Sequence, residues 1–319
     1  MEIIGLSHLL APVTRDAFFD SYWPGQPLFV PASESKTKKL GALLNLPELQ
    51  DVDSLVGARS LKVRACLPDY DDEYSSVLLE PADAPKAYRN NMTLVFDSMQ
   101  AQNALIASTL EMLRADLGLL AGDERNLTHS RSIAYATPAG GRTRLHFDAN
   151  ANFVLQVKGS KRWHLAANTS VINPTDRYTS CTGEIPAALE KQCHDMLMDS
   201  LPDDSVEFLL EPGCVLFVPR GYWHATTTDD DSLSLNFTFS QPTWAEVFAK
   251  SIHAHLLQSA HWRELADGLG GRDAVRKQAA IARFESLLGE LTEELPKLSG
   301  ETLLTDAQLL DEESPRFPK

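Results

Sequence analysis

Between Arg131 and Gln241 the apolar pattern of this chain has a period of two, and nothing else in its 319 residues restricts the fold as much. The runs SIAYAT, RLHFDA, NFVLQVK, KRWHLAA, VEFLLEP, CVLFVP, HATTT and SLSLNFTFS are short, rich in β-branched and aromatic residues, and separated by Gly, Pro, Asn or Asp. Successive side chains of a strand point to opposite faces, so many short strands at close spacing predict a sandwich or small barrel. On either side the period becomes helical. Residues 14–23 read as an amphipathic helix that Thr14 caps, followed by a short strand at Leu28, Phe29 and Val30. Residues 99–117 read as a long helix stopped near Gly118, while residues 45–90 carry no assignable pattern. Two further helices are expected at 244–265 and 273–295. In the second, Ile281, Phe284, Leu288, Leu291 and Leu295 form a stripe too apolar to remain in water, which must cover the β domain or a second copy of the chain.

The expected organisation is a mixed α/β segment (1–125), a β domain (126–243) and a helical region (244–319). The stretch 168–204, with helix-like EIPAALEKQCHDMLM, reads as an insert outside the β domain. A formal net charge of -15 and a pI near 5.0 repel nucleic-acid backbones, so no nucleic-acid partner is expected. The acid is concentrated in DYDDEY (69–74), TDDDS (228–232), TEEL (292–295) and DEES (311–314), which read as solvated loops or tails. Cys66, Cys181, Cys193 and Cys214 are too few and scattered for a disulfide framework, and none lies in a CxxC pair. With no secretory signal and no apolar run of spanning length, a cytoplasmic setting without a membrane partner is expected. GxSxG, GxGxxG and GxxxxGK[ST] are all absent, which leaves Ser-nucleophile hydrolysis and nucleotide binding without a motif.

Chemistry concentrates in TRLHFDANANF. His146 and Asp148 stand at i and i+2 of a strand pattern, a spacing that aims both side chains into one interior, and His224 follows in FVPRGYWHATTT. Two imidazoles and one carboxylate on one face of a metal leave its other positions open, the arrangement of non-haem Fe(II) oxygenases. An HxD pair on a solvated strand face is the bland alternative. Lys161, after the KGS turn, can pair with an anionic cosubstrate, although Lys158 and Arg162 beside it also fit a basic surface turn. Thr143 offers a hydroxyl near the metal strand. The remaining seven histidines lack a carboxylate partner in comparable strand context.

Taken together, T-x-x-HxD, N-F-x-x-Q-x-K-G-x-K, VPxGxWH and SLNF resemble the JmjC and cupin-like Fe(II)/2-oxoglutarate oxygenases, over about Tyr135 to Phe239. The resemblance implies a mainly β fold with flanking helices, built on a double-stranded β-helix (jelly-roll) barrel. It implies that His146, Asp148 and His224 hold Fe(II), and that Lys161 and Thr143 hold the distal carboxylate of 2-oxoglutarate. Asn152 and Asn236 match polar residues near the cosubstrate's metal-binding end, where the residues alone read as ordinary turn or strand-edge asparagines. Tyr135 is a pocket candidate that also fits a core tyrosine. The expected reaction hydroxylates a protein or peptide side chain and releases succinate and CO2. A small-metabolite substrate, or a cupin metal protein without oxygenase activity, stays open beside it. The resemblance also implies a homodimer through the carboxy-terminal helices.

Overall fold

The computed structural model describes residues 3–57, 61–68, 75–120, 129–180, 185–270 and 272–310. The acidic runs DYDDEY and DEES and Cys181 lie outside the described residues. The chain separates into two compact units, one extending to Gln241 and the other beginning at Pro242.

Thirteen strands are described in the first unit: β1 (Leu28–Val30), β2 (Val63–Cys66), β3 (Ser76–Leu79), β4 (Thr93–Phe96), β5 (His129–Thr137), β6 (Arg142–Phe147), β7 (Ala151–Lys158), β8 (Lys161–Ala166), β9 (Tyr178–Thr179), β10 (Val206–Leu210), β11 (Val215–Val218), β12 (Trp223–Thr227) and β13 (Ser232–Ser240). Each of the eight period-two runs overlaps one. An eight-stranded sheet has the order β1-β11-β7-β13-β5-β4-β2-β3, and a five-stranded sheet the order β10-β8-β12-β6-β9. The class is mainly β with flanking helices, as expected.

Strand alternation assigns the two faces of the larger sheet different work. Phe153, Leu155 and Val157 of β7 and Leu233, Leu235, Phe237 and Phe239 of β13 enter one large apolar core together with amino-terminal residues such as Leu9, Phe18 and Leu43. The intervening residues, Asn152, Gln156, Ser232, Ser234, Asn236 and Thr238, are buried as well, but on the face toward the smaller sheet. Both faces are therefore covered, one in hydrocarbon and the other largely in amides and hydroxyls. An apolar patch of Val154, Leu216 and Val218 against Trp163, Leu165 and Leu210 holds the two sheets together beside that polar strip.

The helix Arg15–Ser21 starts where Thr14 accepts from the Ala17 N–H at 3.2 Å, as its sequence predicts. Its Phe18 packs edge-on against Phe217 at 5.1 Å between ring centroids and near Phe153 at 5.9 Å. The second expected helix begins later than its periodicity suggests. A 3-10 turn occupies Met99–Ala101, and the Asn103 side chain, accepting from the Leu105 and Ile106 N–H groups, starts the α-helix at Ala104–Asp116. Residues 45–90 hold the short elements Val52–Gly57, β2, β3 and Ala84–Arg89, each too brief to show a period.

The stretch 168–204 covers the outer face of the smaller sheet, where Val171, Tyr178, Leu189 and Leu197 pack with Phe147 and Trp223. It is not wholly outside the β architecture, because β9 joins the sheet edge, pairing Tyr178 with Phe147 and Thr179 with His146. Among its described residues the α-helical part is one turn, Ala187–Glu190, begun after Pro186.

In the second unit, a reciprocal cap of Thr243 and Glu246 opens the helix Trp244–Leu256, shorter than its pattern suggests, and Asp273 caps Ala274–Glu294. His255 lies between Glu294 Oε1 at 3.0 Å and Asp306 Oδ2 at 3.2 Å, tying the helix Gly300–Asp306 to the other two. Those bonds, Asp306 first, raise its pKa above the ordinary imidazole value. Of the apolar stripe, Phe284 is 54% and Leu288 42% exposed, and the helix that carries it buries no residue. No described helix is long and apolar enough to cross a membrane.

The turn between β7 and β8 fixes where Lys161 starts. Gly159 has φ +59°, and a Cβ there would lie 1.9 Å from the Asp231 carbonyl oxygen. Gly159→Ala is expected to lower unfolding free energy by at least about 2 kcal/mol, measured by urea titration, since both conformation and backbone contact oppose it. Unchanged stability would show that this turn is not constrained by the β12–β13 connection.

Candidate metal centre

His146 on β6 and His224 on β12 face each other directly across the antiparallel ladder, with ring centroids 4.0 Å apart. Two positions along, the register shifts, and Thr226 opposes Thr143. One residue of β12, Ala225, thus faces two of β6, Arg144 and Leu145, which is a β-bulge. Strict alternation would put Thr143 and His146, three apart, on opposite faces. The bulge brings both to the interior, where Thr226 Oγ1 donates to Thr143 Oγ1 at 3.0 Å.

Asp148 follows the last residue of β6 rather than lying within the strand, as its i+2 spacing would suggest. It is fixed by the backbone instead. Its carbonyl accepts from the Gly221 N–H at 2.8 Å, joining it to the turn that leads into His224. Gly221 has φ +82°, and a Cβ there would meet Pro174 Cδ at 2.7 Å, so this turn needs glycine.

The ligand atoms that His146, Asp148 and His224 offer lie within 4.8 Å of one another. The Nδ1–H of His146 donates to the Arg144 carbonyl at 2.7 Å, and that of His224 to the Tyr222 carbonyl at 2.9 Å. In each case the acceptor is two residues upstream. This geometry assigns the Nδ1–H tautomer to both rings and leaves Nε2 as the donor nitrogen of each, that of His224 lying 3.8 Å from Asp148 Oδ2. Burial, reinforced by His224 and Arg177, holds the His146 pKa well below the ordinary imidazole value, so the ring is a neutral donor at pH 7. Trp163 stacks on His224 at 5.6 Å.

Burial alone would raise the Asp148 pKa, but Arg177, both imidazoles and Asn152 outweigh it and hold the group at about 2. Arg177 Nε lies 3.5 Å from Oδ1, and Asn152 Nδ2 donates to Oδ2 at 3.2 Å while its Oδ1 accepts from Thr238 at 2.7 Å. Lys161 is in the opposite situation. It is 5% exposed, its Nζ donates to Thr137 Oγ1 at 2.8 Å, and desolvation pulls its pKa down to about 8. Among the described residues no carboxylate pairs with it. Asn236 Oδ1 is also buried without a hydrogen-bond partner.

All eight residues singled out from the sequence, Tyr135, Thr143, His146, Asp148, Asn152, Lys161, His224 and Asn236, line one cavity of about 60 Å³. Trp163, Thr226 and Ser234 complete its wall. Thr226 was legible as i+2 from His224, whereas Thr137 and Arg177 had no signal, one being an ordinary strand threonine and the other lying in the insert. Tyr135 and Thr143 also line an adjoining cavity of about 350 Å³, with Cys66, Asn91, Thr93 and Arg142.

Residues 121–247 match the model of the JmjC domain. The chain is 30% identical to the uncharacterized protein YxbC of Bacillus subtilis (strain 168) over 301 residues, 93% of this chain and 89% of that protein. It is 24% identical over 255 residues to the bifunctional lysine-specific demethylase and histidyl-hydroxylase NO66 of Drosophila persimilis, 77% of this chain but only 33% of that protein. Among solved structures, that of YcfD, a ribosomal oxygenase from Escherichia coli in complex with cobalt and succinic acid, aligns with a TM-score of 0.51 at 14% identity, covering 92% of this chain and 69% of that one. At such identity the likeness speaks for the fold.

The buried Lys161 cation yields a stability prediction with a definite sign. Below pH 8 the ammonium is charged in both folded and unfolded chains, and its burial is a full cost. Between pH 8 and 10.5 the unfolded chain keeps a proton that the folded one releases, so wild-type stability rises relative to a variant without the amine. Lys161→Met should therefore stabilise the ligand-free protein by about 1–3 kcal/mol at pH 7, with the difference shrinking toward pH 10. Thermal melts across that range measure it, and a less stable variant at pH 7 would show that the cation is already compensated.

Proposed function

The chain belongs to the JmjC-domain family of Fe(II)/2-oxoglutarate oxygenases, and on that premise we propose that it hydroxylates a protein or peptide side chain. The observation that carries this reading is the pairing of a His-Asp-His cluster with a buried lysine that has no anionic partner among the described residues, in one cavity. Both groups fit what the family binds. His146 and His224, held as Nδ1–H tautomers, and the ionised Asp148 form a donor set suited to Fe(II). Lys161 and Thr143 suit the distal carboxylate of 2-oxoglutarate, and Asn152 and Asn236, which line the same cavity, are read as lying toward its other end. The two sheets are read as a double-stranded β-helix barrel of the cupin type.

When bound, Fe(II) and 2-oxoglutarate would use dioxygen in an oxidative decarboxylation that releases CO2, with one oxygen atom going to succinate and the other to the substrate as its new hydroxyl. The chain's own work is positional. Lys161 neutralises the acid in a pocket where water cannot screen the pair, Trp163 and Tyr135 narrow the space around the donors, and Asn152 holds the Asp148 carboxylate in place. The adjoining cavity bounded by Cys66, Asn91, Thr93 and Arg142 has room for a substrate side chain that approaches past Tyr135 and Thr143. A polypeptide substrate is favoured by the names of its relatives, a histidyl-hydroxylase and a ribosomal oxygenase. A small metabolite remains the second reading, because that cavity could also enclose one whole. A cytoplasmic setting is part of the same proposal.

Succinate formation, measured with Fe(II) present against a panel of peptides and small acids, tests the function. His146→Ala, Asp148→Ala and His224→Ala should each abolish it while leaving the melting temperature within a few degrees, and chelation should do the same reversibly. Lys161→Ala should weaken 2-oxoglutarate binding to the Mn(II)-loaded protein by about tenfold to a hundredfold, the worth of a charge-assisted hydrogen bond of about 1.5–3 kcal/mol. Unchanged affinity would return Lys161 to a structural role and revive a cupin metal protein without oxygenase activity.

The same reading gives the carboxy-terminal helices a partner, a second copy of the chain, with the stripe of Ile281, Phe284, Leu288, Leu291 and Leu295 at the two-fold contact. Light scattering should find a dimer at micromolar concentration. The double change Leu288→Glu and Leu291→Glu should shift it toward monomer, because it buries charge across the contact. A monomeric wild type would overturn this assignment.

A further inference from the structure

We propose that Arg177 is a positioning residue that confines Asp148 to one metal-facing oxygen, so that the coordination positions the cosubstrate needs stay open. The inference rests on the metal-centre reading above and gives Arg177 a part in coordination geometry that the reading does not assign it.

The two oxygens of Asp148 have different surroundings. Oδ2 lies 3.8 Å from His224 Nε2 and accepts from Asn152 Nδ2 at 3.2 Å, so it is the oxygen turned toward the imidazoles. Oδ1 is directed to the Arg177 guanidinium, with Nε at 3.5 Å. The two side chains are 21% and 14% exposed, so water screens this attraction poorly. A carboxylate without such a clamp can rotate and offer both oxygens to one cation. With two histidines that would take four of six positions and leave two, fewer than a chelating 2-oxo acid and dioxygen require together.

Register explains why the arginine is where it is. Strand β9 pairs Thr179 with His146 and Tyr178 with Phe147, and one step further along this antiparallel ladder Arg177 falls opposite Asp148. The strand is short but well held. Tyr178 is buried among Phe147 and Trp223, with ring centroids at 6.0 Å from each, and the Ser180 N–H donates to the Leu145 carbonyl at 2.8 Å. The insert thus delivers a fixed cation to the outer oxygen of a carboxylate whose inner oxygen faces the donor set.

Cobalt(II) loading of the full-length protein separates this role from a structural one, because the visible absorption of cobalt(II) reports coordination number. Asp148→Ala comes first. Loss of the wild-type cobalt(II) spectrum supports the metal-centre reading, and its retention would sink that reading and this inference with it. Arg177→Met is then expected to keep cobalt(II) binding but alter band intensity, and to weaken 2-oxoglutarate by about tenfold in calorimetry. Arg177→Lys, which keeps the charge, should recover part of both. If Arg177→Met keeps the wild-type spectrum and 2-oxoglutarate affinity, the proposal fails, even with a lowered melting temperature, since Arg177 would then only anchor the insert. Should the methionine variant not fold, Arg177→Gln, which keeps a donor and much of the volume, is judged by the same two readouts.

Discussion

An interior lined with charge and hydroxyl groups can persist only if stability comes from somewhere else, and in this chain it comes from the opposite face of the same strands. Residues Leu233, Leu235, Phe237 and Phe239 of β13 lie in the large core that the amino-terminal helices cover, while Ser232, Ser234, Asn236 and Thr238 between them face inward. One strand therefore serves two environments by alternation alone. Because hydrocarbon burial scales with apolar area wherever it occurs, the helices outside the larger sheet release the space between the sheets from having to be apolar. The polar cavity depends on that division.

Inside the cavity the charges do not balance in pairs. Asp148 is over-supplied with partners, an arginine, an amide and two imidazoles, and its acid is accordingly strong. Lys161 is under-supplied, with one hydroxyl, and its base is correspondingly weak. A folded protein ordinarily pairs its buried charges or does without them. The mismatch at Lys161 is intelligible as half of an interaction whose other half arrives with an anionic ligand.

Much of this was legible in the sequence, and what was not has specific causes. The period-two runs located the central strands, because strands covered on both faces still alternate between apolar and polar positions where one face is functional. The His146, Asp148, His224 and Lys161 set was readable because strand spacing and a turn before a strand are local signals. Thr143 was legible only as a hydroxyl near the metal strand, and its role came through family resemblance, since alternation points it away from His146 and a bulge opposite Ala225 is needed to bring it back. Arg177 was beyond reach. Its relation to Asp148 depends on a two-residue strand whose pairing no local pattern announces. The helix-like stretch after Gly183 misled for the opposite reason, because beyond the single turn that carries Leu189 its apolar residues serve a sheet's outer face from an irregular segment.

The bonds that orient His146 and His224 run to main-chain carbonyls two residues upstream, Arg144 within β6 and Tyr222 in the turn that enters β12. No neighbouring side chain is needed to choose the tautomer, so no substitution at Arg144 or Tyr222 removes the acceptor. Only a change of backbone path can do that. Ring orientation at this centre is thereby insulated from sequence drift around it, and the surrounding wall can diversify toward new substrates while the donor geometry is inherited with the strand pairing itself.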